Sequence, residues 1–325
     1  MSHPRISLAL DGRLFDLPDR IVVLGARADD DLSDLGGAVQ VVTGQRPDVD
    51  ALTALSLIAG PDLPEEADLA VVILPRSKEL ARGLIAQAAA IAPVVVVDGA
   101  KTDGIDSLLK AARGRGEVSG PVNKAHGKLF VLRNADVADW ALPDTPREVD
   151  GGFVTLPGVF SADGVDPASA LLAEALPEKL GAKLADFGAG WGYLARSILA
   201  RDSVKTLHLV EADHAALTCA RINVTDPRAQ FHWADATTWK ADGALDGVIM
   251  NPPFHNGRAA EPELGRAFIA NAAANLAQHG RLWMVANRHL PYEAALAQHF
   301  AHVEEFGGDN RFKLVAASRP SRKRR

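Results

Sequence analysis

Short apolar runs, most of them rich in β-branched residues and closed by glycine, proline or aspartate, recur along this chain and leave few folds open to it. In the first half they are Ile21–Leu24, Val39–Val42, Leu69–Leu74 and Val94–Val97. In the second half the strand candidates are Lys183–Phe187, Thr206–Glu211, Gln230–Trp233, Asp246–Met250 and Arg281–Ala286. Runs this short and continuous read as strands buried on both faces, as in a parallel sheet covered by helices. Helical stretches such as Lys78–Ala90, Asp106–Arg113 and Pro167–Leu176 lie between them, the last with Asp166 as its cap and Pro167 in its first turn. The alternation predicts doubly wound α/β sheets, and 325 residues are enough for two of them. A breaker-rich stretch, Gly114–Gly127, precedes the strand-like Lys128–Arg133, and Trp140–Gly152 is the best interdomain linker. Domains are therefore expected at 1–145 and 146–325.

Composition narrows the class further. No apolar run reaches membrane-spanning length, and the first twenty residues lack a secretory pattern, so no membrane partner is expected. One cysteine, Cys219, cannot form an internal disulfide or a cysteine zinc site, which suits a reducing cytoplasm. None of the ten histidines falls in a metal-binding spacing, so no metal is expected. Residues 1–150 carry 16 basic against 23 acidic side chains, whereas 151–325 carry 19 against 18, with five of the basic ones in the tail from Arg319 to Arg325. Nucleic-acid binding draws on basic surface. Any such contact is therefore expected in the second half and its tail.

A faint repeat links the halves: Ile21–Ala26 (IVVLGA) parallels Leu184–Ala189 (LADFGA), and Asp68–Pro75 parallels Asp246–Pro253. In the second copy the strand runs into Asp186-Phe-Gly188-Ala-Gly190-Trp-Gly192. Glycines here let a ligand approach the backbone at a helix N-terminus. A dinucleotide fingerprint would need glycine where Tyr193 stands. The pattern instead resembles motif I of class I S-adenosylmethionine (AdoMet)-dependent methyltransferases. That resemblance implies AdoMet as cofactor and gives meaning to two acids further on. Glu211 closes the next strand, where a carboxylate can accept from both ribose hydroxyls, with Asp213 as competitor. Asp235 follows the third strand, where the family places an acid or amide against the adenine amino group.

The sharpest signal is Asn251-Pro252-Pro253-Phe254-His255 after the fourth strand. A planar exocyclic amino group is a poor nucleophile because its lone pair is delocalised into the ring. The Asn251 side-chain oxygen and the Pro252 carbonyl can accept its two N–H groups and turn the lone pair out. Two prolines stiffen the loop, and Phe254 offers a face for a flipped base. Methyl transfer from a sulfonium is downhill, so positioning suffices without a strong base. Cytosine C5 methylation would need a cysteine nucleophile, but Cys219 sits at an apolar helix position and reads as core.

Four further stretches sharpen the resemblance: Leu156–Gly164 (LPGVFSADG), Asn251–Gly257, Val285–Tyr292 and Arg311–Leu314. Over about 151–318 they resemble the RsmC family of small-subunit ribosomal RNA guanine-N2 methyltransferases. The family implies methyl transfer from AdoMet to the 2-amino group of a guanosine in 16S rRNA, with the 30S subunit as substrate; the sequence does not fix the oligomeric state, and a monomer is the expectation. It also implies a degenerate methyltransferase-like first domain. The motif I counterpart there, Gly25-Ala-Arg-Ala-Asp-Asp-Asp31, lacks the glycine series, and Leu74-Pro75 lacks the asparagine. On the same resemblance Phe160, Ser161 and Asp163 are candidates to line the pocket. His255, Arg258, Arg288, Arg311 and Lys313 are candidates to touch base or phosphate. Trp191 and Tyr193 read as helix-to-sheet packing. Alternatives stay open: a large-subunit rRNA guanine-N2 enzyme, an N6-adenine or protein-glutamine methyltransferase, or a non-catalytic RNA-binding or assembly factor.

Overall fold

The computed structural model describes residues 3–36, 39–143, 145–253 and 262–321. The chain divides into two compact units, Met1–Thr145 and Pro146–Arg325. In the first, strands β1 (Ile21–Leu24), β2 (Val39–Val42), β3 (Ile58–Gly60), β4 (Leu69–Ile73), β5 (Val94–Ala100), β6 (Glu117–Lys124) and β7 (Gly127–Arg133) form one sheet. Its order is β3-β2-β1-β4-β5-β7-β6. The β3-to-β5 neighbours are parallel, while β7 runs antiparallel to both β5 and β6. Helices α1 (Pro4–Asp11), α2 (Arg46–Ala54), α3 (Lys78–Ile91) and α4 (Ile105–Ala112) accompany the sheet.

The second unit opens with a small hairpin, β8 (Arg147–Val149) and β9 (Phe153–Thr155). Its main sheet contains β10 (Lys183–Phe187), β11 (Thr206–Glu211), β12 (Ala229–Trp233), β13 (Leu245–Met250), β14 (Leu276–Asn287), β15 (Phe300–Gly308) and β16 (Phe312–Pro320). The order, β12-β11-β10-β13-β14-β16-β15, repeats that of the first sheet position for position. Helices α5 (Pro167–Ala175), α6 (Tyr193–Leu199), α7 (His214–Asn223), α8 (Pro262–Asn275) and α9 (Glu293–His299) complete it. The two segments of the sequence repeat fall on equivalent strands, β1 with β10 and β4 with β13. These two pairs flank the point where the strand order reverses, which in open α/β sheets marks the ligand crevice beyond the carboxyl ends.

Burial explains why the strands read so clearly. In β1 all four residues are buried, as are five of six in β13. Each sheet divides an apolar layer on one face from another on the opposite face, with Leu184, Leu209 and Ile249 in one layer and Phe187, Val248 and Met250 in the other. Cys219 is buried with Phe153 and Trp191, and burial pushes its thiol up to about 11, which suits packing rather than nucleophilic work.

The breaker-rich stretch Gly114–Gly127 is not a loop. It contains β6, the edge strand of the first sheet. An edge strand tolerates the Gly120–Pro121 pair because one side needs no partner, and the register shifts between Ser119 and Val122. Among the described residues no helix is long and apolar enough to cross a membrane.

Candidate active site

The turn after β10 carries the glycine series in left-handed backbone, with φ +72° at Gly188, +54° at Gly190 and +93° at Gly192. The reasons for glycine differ along it. A Cβ on Gly192 would come within 2.8 Å of the Val224 side chain, so that glycine serves the packing of α6 against α7. A Cβ on Gly190 would meet nothing within 4 Å, so that side of the turn is open to a ligand. A Cβ on Gly188 would lie 3.5 Å from the Phe268 ring and 4.0 Å from Pro253, which brings the turn beside the Asn251–Pro253 segment.

Asp186, one residue before the end of β10, is fully buried. Neither of its carboxylate oxygens has a hydrogen-bond partner among the described residues. Burial first, then the nearby Glu211 charge, pushes its pKa up to about 8. An orphaned buried carboxyl beside an open glycine turn fits a ligand that brings cationic or hydrogen-bond-donating groups.

Glu211 ends β11 and holds the turn from the other side. Its Oε2 accepts from the Gly190 amide at 2.7 Å and its Oε1 from the Asp213 amide at 2.8 Å. Burial raises its pKa to about 7 against these bonds, and the charge of Asp213 adds to the rise. A carboxylate has room for further donors beyond two, so ribose hydroxyls could still be accepted. Asp213 is engaged elsewhere: it caps α7, accepting from the amides of Ala215 and Ala216. Asp235 lies two residues past β12, in the segment anchored to Glu211 by the Ala234 amide at 3.0 Å. Its Oδ1 accepts from the Thr237 amide at 2.7 Å. The segment behind it is held by Asn271 on α8, which donates to the carbonyls of Ala236 and Trp239, both at 2.8 Å.

Asn251 follows β13 directly. Its side-chain nitrogen donates to Asp166 Oδ2 and to Ser169 Oγ, each at 2.9 Å. Both amide hydrogens are thereby accounted for, and Oδ1 remains as a hydrogen-bond acceptor. Pro252 is buried and Pro253 exposed. Phe254, His255 and Arg258 lie outside the described residues, as do the last four basic residues of the tail.

The LPGVFSADG stretch is anchored rather than loose. The Trp191 indole donates to the Phe160 carbonyl at 3.0 Å, and Thr155 donates to the Ala162 carbonyl at 2.6 Å. The Phe160 side chain itself is 55% exposed. Ser161 sits at φ +51° and spends its hydroxyl on the Gly164 carbonyl, so its role is to shape the turn. Asp163 is exposed and pairs with Arg147 at 2.6 Å. Trp191 packs edge-on against Phe153 with ring centres 5.0 Å apart, and Tyr193 lies against the same pair.

The cationic candidates differ in what holds them. Lys313 is buried on β16, donating to the Leu290 carbonyl at 2.8 Å and paired with Glu293, so its ammonium is not available to a phosphate. Arg288 is committed to Glu305 at 2.8 Å and to the Asp309 carbonyl. Arg311 is exposed with its guanidinium over the Phe312 ring, 4.9 Å from the centre. The residues missed from sequence are Ser169, Asn223 and Asp166 in its second role. Asn223 on α7 donates to the carbonyls of Val154 and Trp191 and ties the hairpin to the glycine turn. The Asp166–Asn251 contact spans 85 residues, so no local pattern announces it.

The chain is similar to known proteins along most of its length. The Methyltransferase small domain family matches residues 150–316. The ribosomal RNA small subunit methyltransferase C of Shewanella halifaxensis is 33% identical over 286 residues, covering 82% of both chains. Its namesake from Shewanella piezotolerans is 32% identical over 81% of each. Among solved structures, the T. thermophilus 16S rRNA N2 G1207 methyltransferase, in complex with AdoMet and guanosine, superposes with a TM-score of 0.77 at 26% identity. It covers 98% of this chain and 92% of that one.

Proposed function

The chain belongs to the ribosomal RNA small subunit methyltransferase C family, and from that membership we propose how its residues divide the work. The reaction is transfer of a methyl group from AdoMet to the exocyclic N2 of a guanosine in 16S rRNA. AdoMet supplies the electrophile, a methyl group on a sulfonium. Gly188, Gly190 and Gly192 shape the bed for it, Asp186 and Glu211 offer carboxylates to its donors, and Asp235 reaches the adenine end. Asn251 Oδ1 and the Pro252 carbonyl accept the two hydrogens of the guanine amino group and present its lone pair. Pro253 stiffens that loop. Phe254 and the exposed Phe160 ring provide faces on which the base can stack, and the exposed Arg311 side chain meets phosphate.

The observation that carries this reading is the amide of Asn251, whose hydrogens are both committed backwards so that its oxygen is the group left to receive a substrate. Beside it stand an open glycine turn and a buried carboxyl with no hydrogen-bond partner among the described residues. The first unit, whose equivalent strand ends lack the glycine series and the asparagine, is assigned no catalytic role. The substrate context proposed is the assembled 30S subunit, in the cytoplasm, met by a monomer without a metal.

Transfer of labelled methyl from AdoMet to purified 30S subunits, 50S subunits and naked 16S rRNA, followed by nucleoside analysis, tests the proposal. Label recovered as N2-methylguanosine from 30S supports it. Label appearing in 50S moves the substrate to the large subunit, and label only in naked RNA overturns the assembled-subunit context.

A further inference from the structure

Asn251 is held by a pair of side chains that neither the motif nor the cofactor site explains. Asp166 is the N-cap of α5, and its Oδ2 accepts from the Ser169 backbone amide at 2.8 Å. The same oxygen accepts from Asn251 Nδ2 at 2.9 Å, and the Ser169 hydroxyl receives the other amide hydrogen at 2.9 Å. Ser169 is buried and Asp166 half-buried, so these bonds are sheltered from competing water.

Two consequences follow from elementary chemistry. A carboxylate can only accept, so an Asn251 amide turned the other way would set oxygen against oxygen at Asp166. The amide therefore has one stable orientation, and it is the one that leaves Oδ1 for the substrate. In addition, an N–H bound to an anion is polarised, and hydrogen bonds to charged groups are about twice as strong as neutral ones. Electron density withdrawn from that N–H bond is returned through the conjugated amide to its oxygen. An amino group that attacks a methyl gains positive charge as the new bond forms. An acceptor backed by an anion stabilises that charge more than it stabilises the neutral base.

Resting on the reading of Asn251 as the amino-group acceptor, we propose that Asp166 and Ser169 are positioning residues for methyl transfer. Together they form a carboxylate–hydroxyl clamp that fixes and polarises the Asn251 amide. The motif's asparagine is thus the front of a three-residue unit whose rear lies on another helix. The clamp acts on the chemical step and leaves cofactor binding alone.

Asp166→Asn isolates the charge. Asparagine is an equally good N-cap, and its side-chain oxygen can still accept from Asn251, so fold and orientation persist while the anion is lost. The expected result is a fall in kcat of about tenfold, with the AdoMet Kd, the RNA KM and the thermal midpoint unchanged. Ser169→Ala should lower kcat several-fold, and Ser169→Thr, which keeps the hydroxyl, should restore it. A purely structural Asp166 predicts wild-type kcat in Asp166→Asn, and that result overturns the clamp. So does a loss of kcat matched by an equal loss of AdoMet affinity. Asn251→Ala, run in parallel, separates the two layers. If it keeps turnover, the reading of Asn251 fails and the clamp with it. If it is inactive while Asp166→Asn behaves as wild type, only the clamp fails.

Discussion

The two seven-stranded sheets run in the same order, yet the loops at their equivalent strand ends keep opposite company. After β10 the backbone passes three left-handed glycines and leaves open space at Gly190 and, at Asp186, a buried carboxyl without a hydrogen-bond partner among the described residues. After β1 a single glycine, Gly25, is followed by Arg27 and acids. A Cβ on Gly25 would come within 2.5 Å of the Ile73 carbonyl, so this glycine serves close strand packing. Asp30 and Asp31 among the acids that follow are answered from within the chain. Asp30 accepts from the Arg27 amide at 2.9 Å and pairs with His3 at 3.0 Å. Asp98 on β5 receives His3 at 3.1 Å and the Arg5 guanidinium, which also reaches the Lys124 carbonyl at 3.0 Å. The N-terminal end of α1, His3 at its cap and Arg5 in its first turn, thus supplies both cations. The lesson is that topology makes the crevice, and the polar groups left without partners decide whether anything binds there.

Four measurements would break or sharpen this contrast. The largest effect belongs to Asn251→Ala, expected to lower kcat about 10²–10³-fold, as loss of a preorganised electrostatic interaction does, with AdoMet affinity unchanged by calorimetry. A matching loss of AdoMet affinity would move Asn251 out of the acceptor role.

Next comes Asp98→Asn in the first unit, which strips His3 and Arg5 of a buried counter-charge and should cost about 3 kcal/mol of that unit's stability. Hydrogen exchange across β1, β4 and β5 reads it, and AdoMet affinity should not move. The same cluster sets a pH signature. Burial disfavours the His3 imidazolium, but pairing with Asp30 and Asp98 outweighs it and raises the pKa from 6.5 to about 9. A raised value in the folded state means stability fully present below pH 6.5 and lost as pH climbs through about 9. Exchange in the first unit should therefore quicken over that alkaline range, and a flat profile would remove His3 from the account.

Third, Asp186→Asn is expected to weaken AdoMet about tenfold, the worth of one charge-assisted bond. The sign for the ligand-free protein is opposite. Burial and Glu211 raise the Asp186 pKa from 3.8 to about 8, so the second unit loses stability as pH rises through that interval. The variant should melt higher than wild type at pH 8 without ligand. Equal melting would mean that the carboxyl carries no strain. The smallest effect is expected from removing residues 322–325. The salt dependence of binding to single-stranded RNA should then flatten by about 0.7 for each phosphate those residues neutralise. An unchanged slope would separate the tail from RNA.

Much of this was legible in the sequence because the strands are buried on both faces. A run such as Ile21–Leu24 admits little but apolar β-branched residues, and the glycines and asparagine follow at strand ends where the pattern stops. What escaped was edge and long-range structure. Strand β6 hid behind Gly120 and Pro121 because an edge strand needs only half its hydrogen bonds. Lys313 looked like a phosphate ligand because a sequence shows charge but not burial, and its β16 position places it inside with Glu293. Asp166 was readable as a helix cap from its proline neighbour, yet its bond to Asn251 depends on two distant segments meeting. That meeting is a property of the folded sheet alone.

Calorimetric titration of the full-length chain with AdoMet tests the central claim, that two sheets of one topology carry one working cofactor site. The account predicts one AdoMet per chain, with binding lost in Gly190→Ala, because the added methyl projects into the space left open at that turn. A stoichiometry of two, or full binding retained in Gly190→Ala, would contradict it.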